Sequence, residues 1–247
     1  MSSERYRLKY AAKMIIRSSR PSVVTAAAIY AFVSIILSML GNSALSVNIT
    51  QELASQYLNA YIYGNIDVLM SLIERMAPPT SAYLVDLALR AVLMIVEAGF
   101  VIFVFNTIRH SGAVYGNLLD GFGLAIKLLG LTLLRGIVVL ALSMLLVAPG
   151  VVAAYSYSMA KYILIDRPDK GVVEAMRESR ELMRGHKMEF FRLQLSFFGW
   201  YMLTALPYVG YGALVWTLPY TETSYVLYYF SLVGRAASSE PGPQSEE

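Results

Sequence analysis

Long uncharged apolar runs separated by short charged segments organise this chain. The first run, "SVVTAAAIYAFVSIILSML" at residues 22–40, contains no charged residue. A helix needs about 20 mostly apolar residues to cross the hydrocarbon layer of a bilayer, and this run is long enough. A second, residues 81–105, is longer but contains Asp86, Arg90 and Glu97. A third, residues 126–148, holds Arg135 well inside it. After Pro149-Gly150 comes a shorter run, 151–165, which covers about 22 Å as a helix. Two more follow, at about 189–206 and about 211–232. The pattern predicts an all-α fold: a polytopic membrane bundle of six transmembrane helices in a single domain over residues 1–235.

Pro149-Gly150 can kink one helix or turn the chain back, and charge chooses between them. Residues 1–20 hold Arg5, Arg7, Lys9, Lys13, Arg17 and Arg20 against Glu4 alone. The segment 41–80 holds Arg75 against Glu52, Asp67 and Glu74. Basic loops stay on the cytoplasmic side, so the N-terminus is expected inside and 41–80 outside. Residues 166–192 are rich in Lys and Arg again. They reach the inner side only if the chain turns back at Pro149-Gly150, which puts both termini inside.

Amphipathic stretches fill the gaps between the runs. In residues 169–184, Val172, Val173, Met176, Leu182 and Met183 recur at helical spacing. Glu174, Arg177, Glu181 and Arg184 mark another face, where opposite charges three and four apart support each other weakly. Gly185 ends this stretch as helix punctuation, and the expectation is a helix lying along the cytoplasmic face. Residues 4–17 predict a second interfacial helix, basic, with Tyr6, Tyr10 and Met14 in register. Outside, residues 50–63 and 66–76 are amphipathic and are closed by Pro78-Pro79. The tail 236–247 is disordered by composition.

Composition agrees with lipid as the solvent. Hydrophobic residues make up 57% of the chain and charged ones only 15%, against about half and a quarter in soluble domains. The absence of cysteine excludes disulfides and thiolate metal sites. Two histidines, His110 and His186, leave little for an imidazole metal site. The net charge of +3 reads as basic cytoplasmic loops, and no nucleic-acid partner is expected. No metalloprotease helix, phosphate loop or nucleophile elbow occurs, so neither a cofactor nor an enzymatic activity is expected.

Four stretches carry a family resemblance: "LLDGFGLAIK" (118–127), "APGVVAAYSYSMAKYILIDRPD" (148–169), "AMRESRELMRGHKMEFFRLQLSFFGWYML" (175–203) and "LPYTETSYVLYYF" (218–230). With the N-terminal "LKYAAKMIIRSS", they resemble a family of bacterial integral membrane proteins of unknown function, found mainly in Firmicutes. That family is distantly similar to the membrane domain attached to some glycerophosphodiester phosphodiesterases. The resemblance implies an all-helical fold in the bacterial cytoplasmic membrane and supplies no catalytic residues.

Ionisable groups inside a membrane are costly and face a partner or water. Arg90, Glu97, Arg135 and Glu222 fall near mid-depth of their runs, two basic and two acidic. They line a polar cavity for an ion or a lipid-like solute, or they are buried pairs that fix helix register. Arg90 and Glu97 are seven apart and share a helix face with Asp86. Pro219, inside the sixth run, cannot donate to the Val215 carbonyl and loosens the helix among polar neighbours, as in the interrupted helices of transporters. Lys161 is expected to snorkel to the inner surface, His186 to meet lipid headgroups, and Tyr155, Ser158 and Tyr162 to serve packing.

Arg177, Arg180 and Arg184 on the cytoplasmic helix are candidates for docking a protein partner. Two functions follow from these positions: non-enzymatic handling of a small ion or lipid-like solute, or a membrane scaffold or envelope-stress accessory. A membrane-embedded lipid enzyme lacks its catalytic constellation.

Overall fold

The computed structural model describes residues 2–46, 50–206 and 209–239. They are helical almost throughout, with no strand among them. The helices are α1 (Ser2–Ser18), α2 (Val23–Leu45), α3 (Gln51–Ile62), α4 (Ile66–Met76), α5 (Thr80–Arg109), α6 (Ala125–Leu145), α7 (Val147–Ser156), α8 (Ala160–Asp166), α9 (Val172–Leu182), α10 (Lys187–Leu195), α11 (Phe198–Thr204) and α12 (Val209–Ser239). A ten-residue 3-10 helix, Tyr115–Leu124, leads into α6.

Three of these elements are long and apolar enough to cross a membrane: α2, α5, and the run Tyr115–Leu145 formed by the 3-10 helix and α6. Along α6 a row of large apolar side chains, Ile126, Leu133, Ile137, Leu140 and Met144, faces outward. Their helical spacing makes one continuous apolar face, which is stable against hydrocarbon and not against water.

Of the six spans expected from the sequence, these three stand as single helices long and apolar enough to cross a membrane. Residues 151–165 are not one helix: α7 ends at Ser156, and three residues of turn precede α8. Residues 189–206 are likewise divided, between α10 and α11. The sixth run lies inside α12, which is 31 residues long but carries Thr217, Thr221, Glu222 and Thr223 in mid-course. It is not among the helices apolar enough to cross a membrane. Part of the turn before it, Pro207-Tyr208, lies outside the described residues. So do Asn48-Ile49 and residues 240–247, whereas 236–239 continue α12 as helix.

The chain does turn back after α6, three residues earlier than Pro149. Leu146 is extended (φ −159°, ψ 142°), and α7 packs against α6. Pro149 sits in the first turn of α7, where its missing N–H has no helical acceptor to lose. Gly150 then lets the two helices touch. A Cβ there would stand 1.9 Å from Ser143 Oγ.

The chain divides into two compact units, Met1–Phe32 with Met94–Glu247, and Val33–Leu93. In the smaller unit α3 and α4 form a helical hairpin. Thr50 caps α3 by accepting the Leu53 N–H (3.2 Å), and Gly64 turns the chain at φ +65°. The larger unit holds the main core. The second half of α5, "GFVIFVF", is apolar on every side, as befits a helix surrounded by others. Its Phe100, Phe103 and Val104 pack with Ile163 and Leu164 of α8, Met183, Phe190 and Leu193, and Tyr229 and Leu232 of α12. Fully burying each such side chain contributes about 1.5–3 kcal/mol.

α1 belongs to this core. Leu8, Ala12 and Ile16, four residues apart, face inward, and the helix packs on α12. The expected stripe of Tyr6, Tyr10 and Met14 points outward. α9 lays its buried face, with Ala175, Met176 and Ser179, against α8 and α6.

Candidate functional site

The break between α7 and α8 is repaired by a side chain from α9. A helix interrupted in a dry interior leaves backbone groups that must find partners elsewhere. Ser179, completely buried, supplies both. Its hydroxyl accepts the Met159 N–H (3.1 Å) and donates to the Ser156 carbonyl (2.8 Å). One small side chain thus stands in for a missing turn of backbone ladder. The segment leading into α9 is clamped in turn. Lys127 of α6 donates to the carbonyls of Pro168 and Lys170 (3.0 Å to the latter). Arg167 and Lys170 both pair with Glu178.

α8 begins just after this break and delivers Lys161 to two carboxylates. Lys161 Nζ lies 2.6 Å from Glu97 Oε1 on α5 and 3.9 Å from Glu222 Oε2 on α12. Beside it the Tyr162 hydroxyl donates to Glu222 Oε2 (3.1 Å). Lys161 therefore does not snorkel to the surface. It is the common partner of the two acidic residues that the sequence singled out. The side chains are half-buried: 26% of Lys161 is exposed, 37% of Glu97 and 15% of Glu222.

The fourth mid-run charge, Arg135, meets no carboxylate at ion-pair distance among the described residues. It donates to the Ala154 carbonyl near the end of α7 (3.1 Å). Arg135 and Lys161 line one cleft of about 300 Å3, walled by Met94, Leu128, Leu131 and Val139. Its lining joins two cations to mostly apolar side chains.

Arg90 lies in the smaller unit, exposed, with its Nε 2.6 Å from Asp86 on its own helix. Pro219 does not interrupt α12, which is helical on both sides of it. Thr221 Oγ1 donates to the carbonyls of Thr217 (2.9 Å) and Leu218 (3.2 Å), not to the Val215 carbonyl whose donor Pro219 removes. The hydroxyls of Thr217 and Thr223 are buried without a protein partner.

The second broken helix is repaired by a charge. Between α10 and α11, Lys9 of α1 donates to the Ser196 carbonyl (2.9 Å) and hydroxyl (3.0 Å). Its ammonium stands over the Phe197 ring, 4.1 Å from the centroid. Burial, with Lys13 and Arg5 nearby, lowers the pKa of Lys9 below the ordinary lysine value. His186, expected to face lipid headgroups, contacts Glu189 (3.0 Å) instead. Arg235 joins that pair, at 3.1 Å from Glu189, and binds Glu4 on its other side.

Arg177 and Arg180 project from the outer face of α9 and Arg184 lies in the turn after it, all exposed, and none pairs with a carboxylate among the described residues. No group of three or more His, Asp or Glu placed to hold a metal ion occurs among the described residues.

The fold and site define an all-helical protein with three apolar helices able to cross a membrane, and with a half-buried lysine shared by two carboxylates. Over residues 8–236 the chain matches DUF975, described as a protein of unknown function, and it belongs to that family. No curated protein and no solved structure matches it.

Proposed function

We propose that this is a multi-pass protein of the bacterial cytoplasmic membrane, with both termini inside, that holds a small anionic amphipathic solute non-covalently. In this reading the broken pairs α7–α8 and α10–α11 complete the bundle together with α12. The observation that carries it is the cleft at Arg135 and Lys161. A guanidinium has five donors in a fixed fork, and that of Arg135 spends one on a carbonyl. The remaining donors meet a carboxylate or phosphate oxygen with matched geometry. The apolar walls of Met94, Leu128, Leu131 and Val139 suit an acyl or alkyl chain. Such a combination of mostly apolar lining and a few convergent polar groups is the usual form of a small-molecule site. The activity this arrangement supports is binding or movement of the solute, with Arg135 and Lys161 as its anchors.

The test uses the full chain in lipid nanodiscs and a fluorescent alkyl sulfonate as the probe. Saturable binding is expected, weakened at least about tenfold by Arg135→Gln, the loss of roughly one charged hydrogen bond. The variant should keep the wild-type elution profile, since Arg135 pairs with no carboxylate among the described residues and gives up one bond to the Ala154 carbonyl. Equal binding by wild type and variant, or no binding by either, overturns the reading.

A further inference from the structure

We propose that the solute anion enters the cleft together with one proton, taken up from water by the Glu97–Glu222 pair. The proposal rests on the reading of the cleft given above and adds the ion that accompanies the solute.

The argument is one of charge and distance. Four helices contribute one group each: Glu97 from α5, Arg135 from α6, Lys161 from α8 and Glu222 from α12. With all four ionised the cluster is neutral. Its parts are unevenly shared, because one ammonium serves two carboxylates. Lys161 is 2.6 Å from Glu97 and 3.9 Å from Glu222. Arg135 pairs with neither carboxylate and lines the cleft beside Lys161.

A solute anion bound by Arg135 and Lys161 competes with both carboxylates for the one ammonium they share. It leaves the cluster with one uncompensated negative charge in surroundings that solvate it poorly. A proton on one carboxylate restores neutrality: carboxylate plus proton gives carboxylic acid, and no other bond changes. Glu222 is the group that takes it, being farther from Lys161 and less exposed than Glu97. The groups facing it are Lys161 and Tyr162 from α8, with Glu97 beyond. Tyr225 lies one turn along α12, its hydroxyl 3.0 Å from that of Tyr201 of α11. All of the tyrosines are neutral partners. The Tyr162 hydroxyl, which donates to ionised Glu222, has lone pairs to accept from the protonated form.

The same nanodiscs and the same alkyl sulfonate test this, because a sulfonate keeps its charge across the acid and neutral range. In wild type the dissociation constant should fall as pH is lowered, by up to about tenfold per pH unit for the uptake of one proton. Glu222→Gln should bind the probe with no pH dependence and more tightly than wild type at neutral pH. Glu97→Gln is measured alongside and decides the question if Glu222→Gln does not fold. It removes the second carboxylate, so its pH dependence should also vanish. A flat wild-type profile with saturable binding overturns the coupling and leaves the solute site standing. A slope that persists in the folded variants overturns it too. Absence of saturable binding at every pH removes both the coupling and the site.

Discussion

Two helices of this protein are broken, and they are mended in opposite ways. At the α7–α8 break, the neutral hydroxyl of Ser179 is completely buried and reaches across twenty residues of sequence. At the α10–α11 break, a partly exposed ammonium, Lys9, arrives from a helix 187 residues away. The first repair is short, stiff and sealed from solvent. The second hangs on a four-carbon stem that loses rotamer freedom to hold its place. Lys161 and the charge cluster follow directly on the sealed break. A charge that must stay near two carboxylates needs a fixed backbone beneath it, and the hydroxyl clamp supplies one.

The contrast can be broken by three substitutions, each read as a shift in thermal midpoint of the detergent-solubilised protein. Lys161→Ala should cost most. It leaves Glu97 and Glu222 facing each other without their shared cation, and because the side chains are only half-buried the cost is about 3 kcal/mol, the lower end of the range for buried pairs. A midpoint within error of wild type would show that the cluster carries no stability.

Ser179→Ala comes next, at about 2–3 kcal/mol, because the Met159 N–H and the Ser156 carbonyl both lose their partner away from water. Ser179→Thr keeps the hydroxyl, and the difference between the two variants separates the hydrogen bonds from the packing. If Ala and wild type unfold together, the break is not held by Ser179.

Lys9→Met should cost least, about 1 kcal/mol, since the methionine keeps the contact with Phe197 and only a partly exposed hydrogen bond is lost. A loss as large as that of Ser179→Ala would erase the distinction between the two repairs.

Much of the helical layout is legible in the sequence because it is local. The amphipathic period places α9, and two polar-apolar stretches place α3 and α4. The charge asymmetry around Pro149 correctly demands a reversal after α6. The breaks are not legible. Tyr157-Ser158-Met159 contains neither glycine nor proline, and its interruption exists only because Ser179, on another helix, receives the freed groups. In α1 two apolar stripes are written side by side, Tyr6-Tyr10-Met14 and Leu8-Ala12-Ile16. Which one turns inward depends on α12, far along the chain.

Lys161 shows the same limit at the site. One turn from the end of its run, it reads as a side chain bound for the surface. Only the fold sets it beside Glu97 and Glu222, sixty-odd residues away on either side. The two carboxylates were visible in the sequence; their shared cation was not. The "GFG" of residues 121–123, which matches no phosphate loop, proves to be a packing device. A Cβ on Gly121 would come within 2.1 Å of the Ile95 carbonyl of α5.

The pairing of Glu4 with Arg235 has a consequence for biogenesis. Among the described helices, the earliest to leave the ribosome docks on the latest. Until α10 and α12 have been made, α1 has neither its counter-ions nor its hydrophobic seat, and the polypeptide waits in a half-assembled state. Contacts of such long separation slow folding and leave apolar surface uncovered meanwhile. A stalled or shortened nascent chain would therefore present an unseated basic N-terminal segment, a ready mark for quality control.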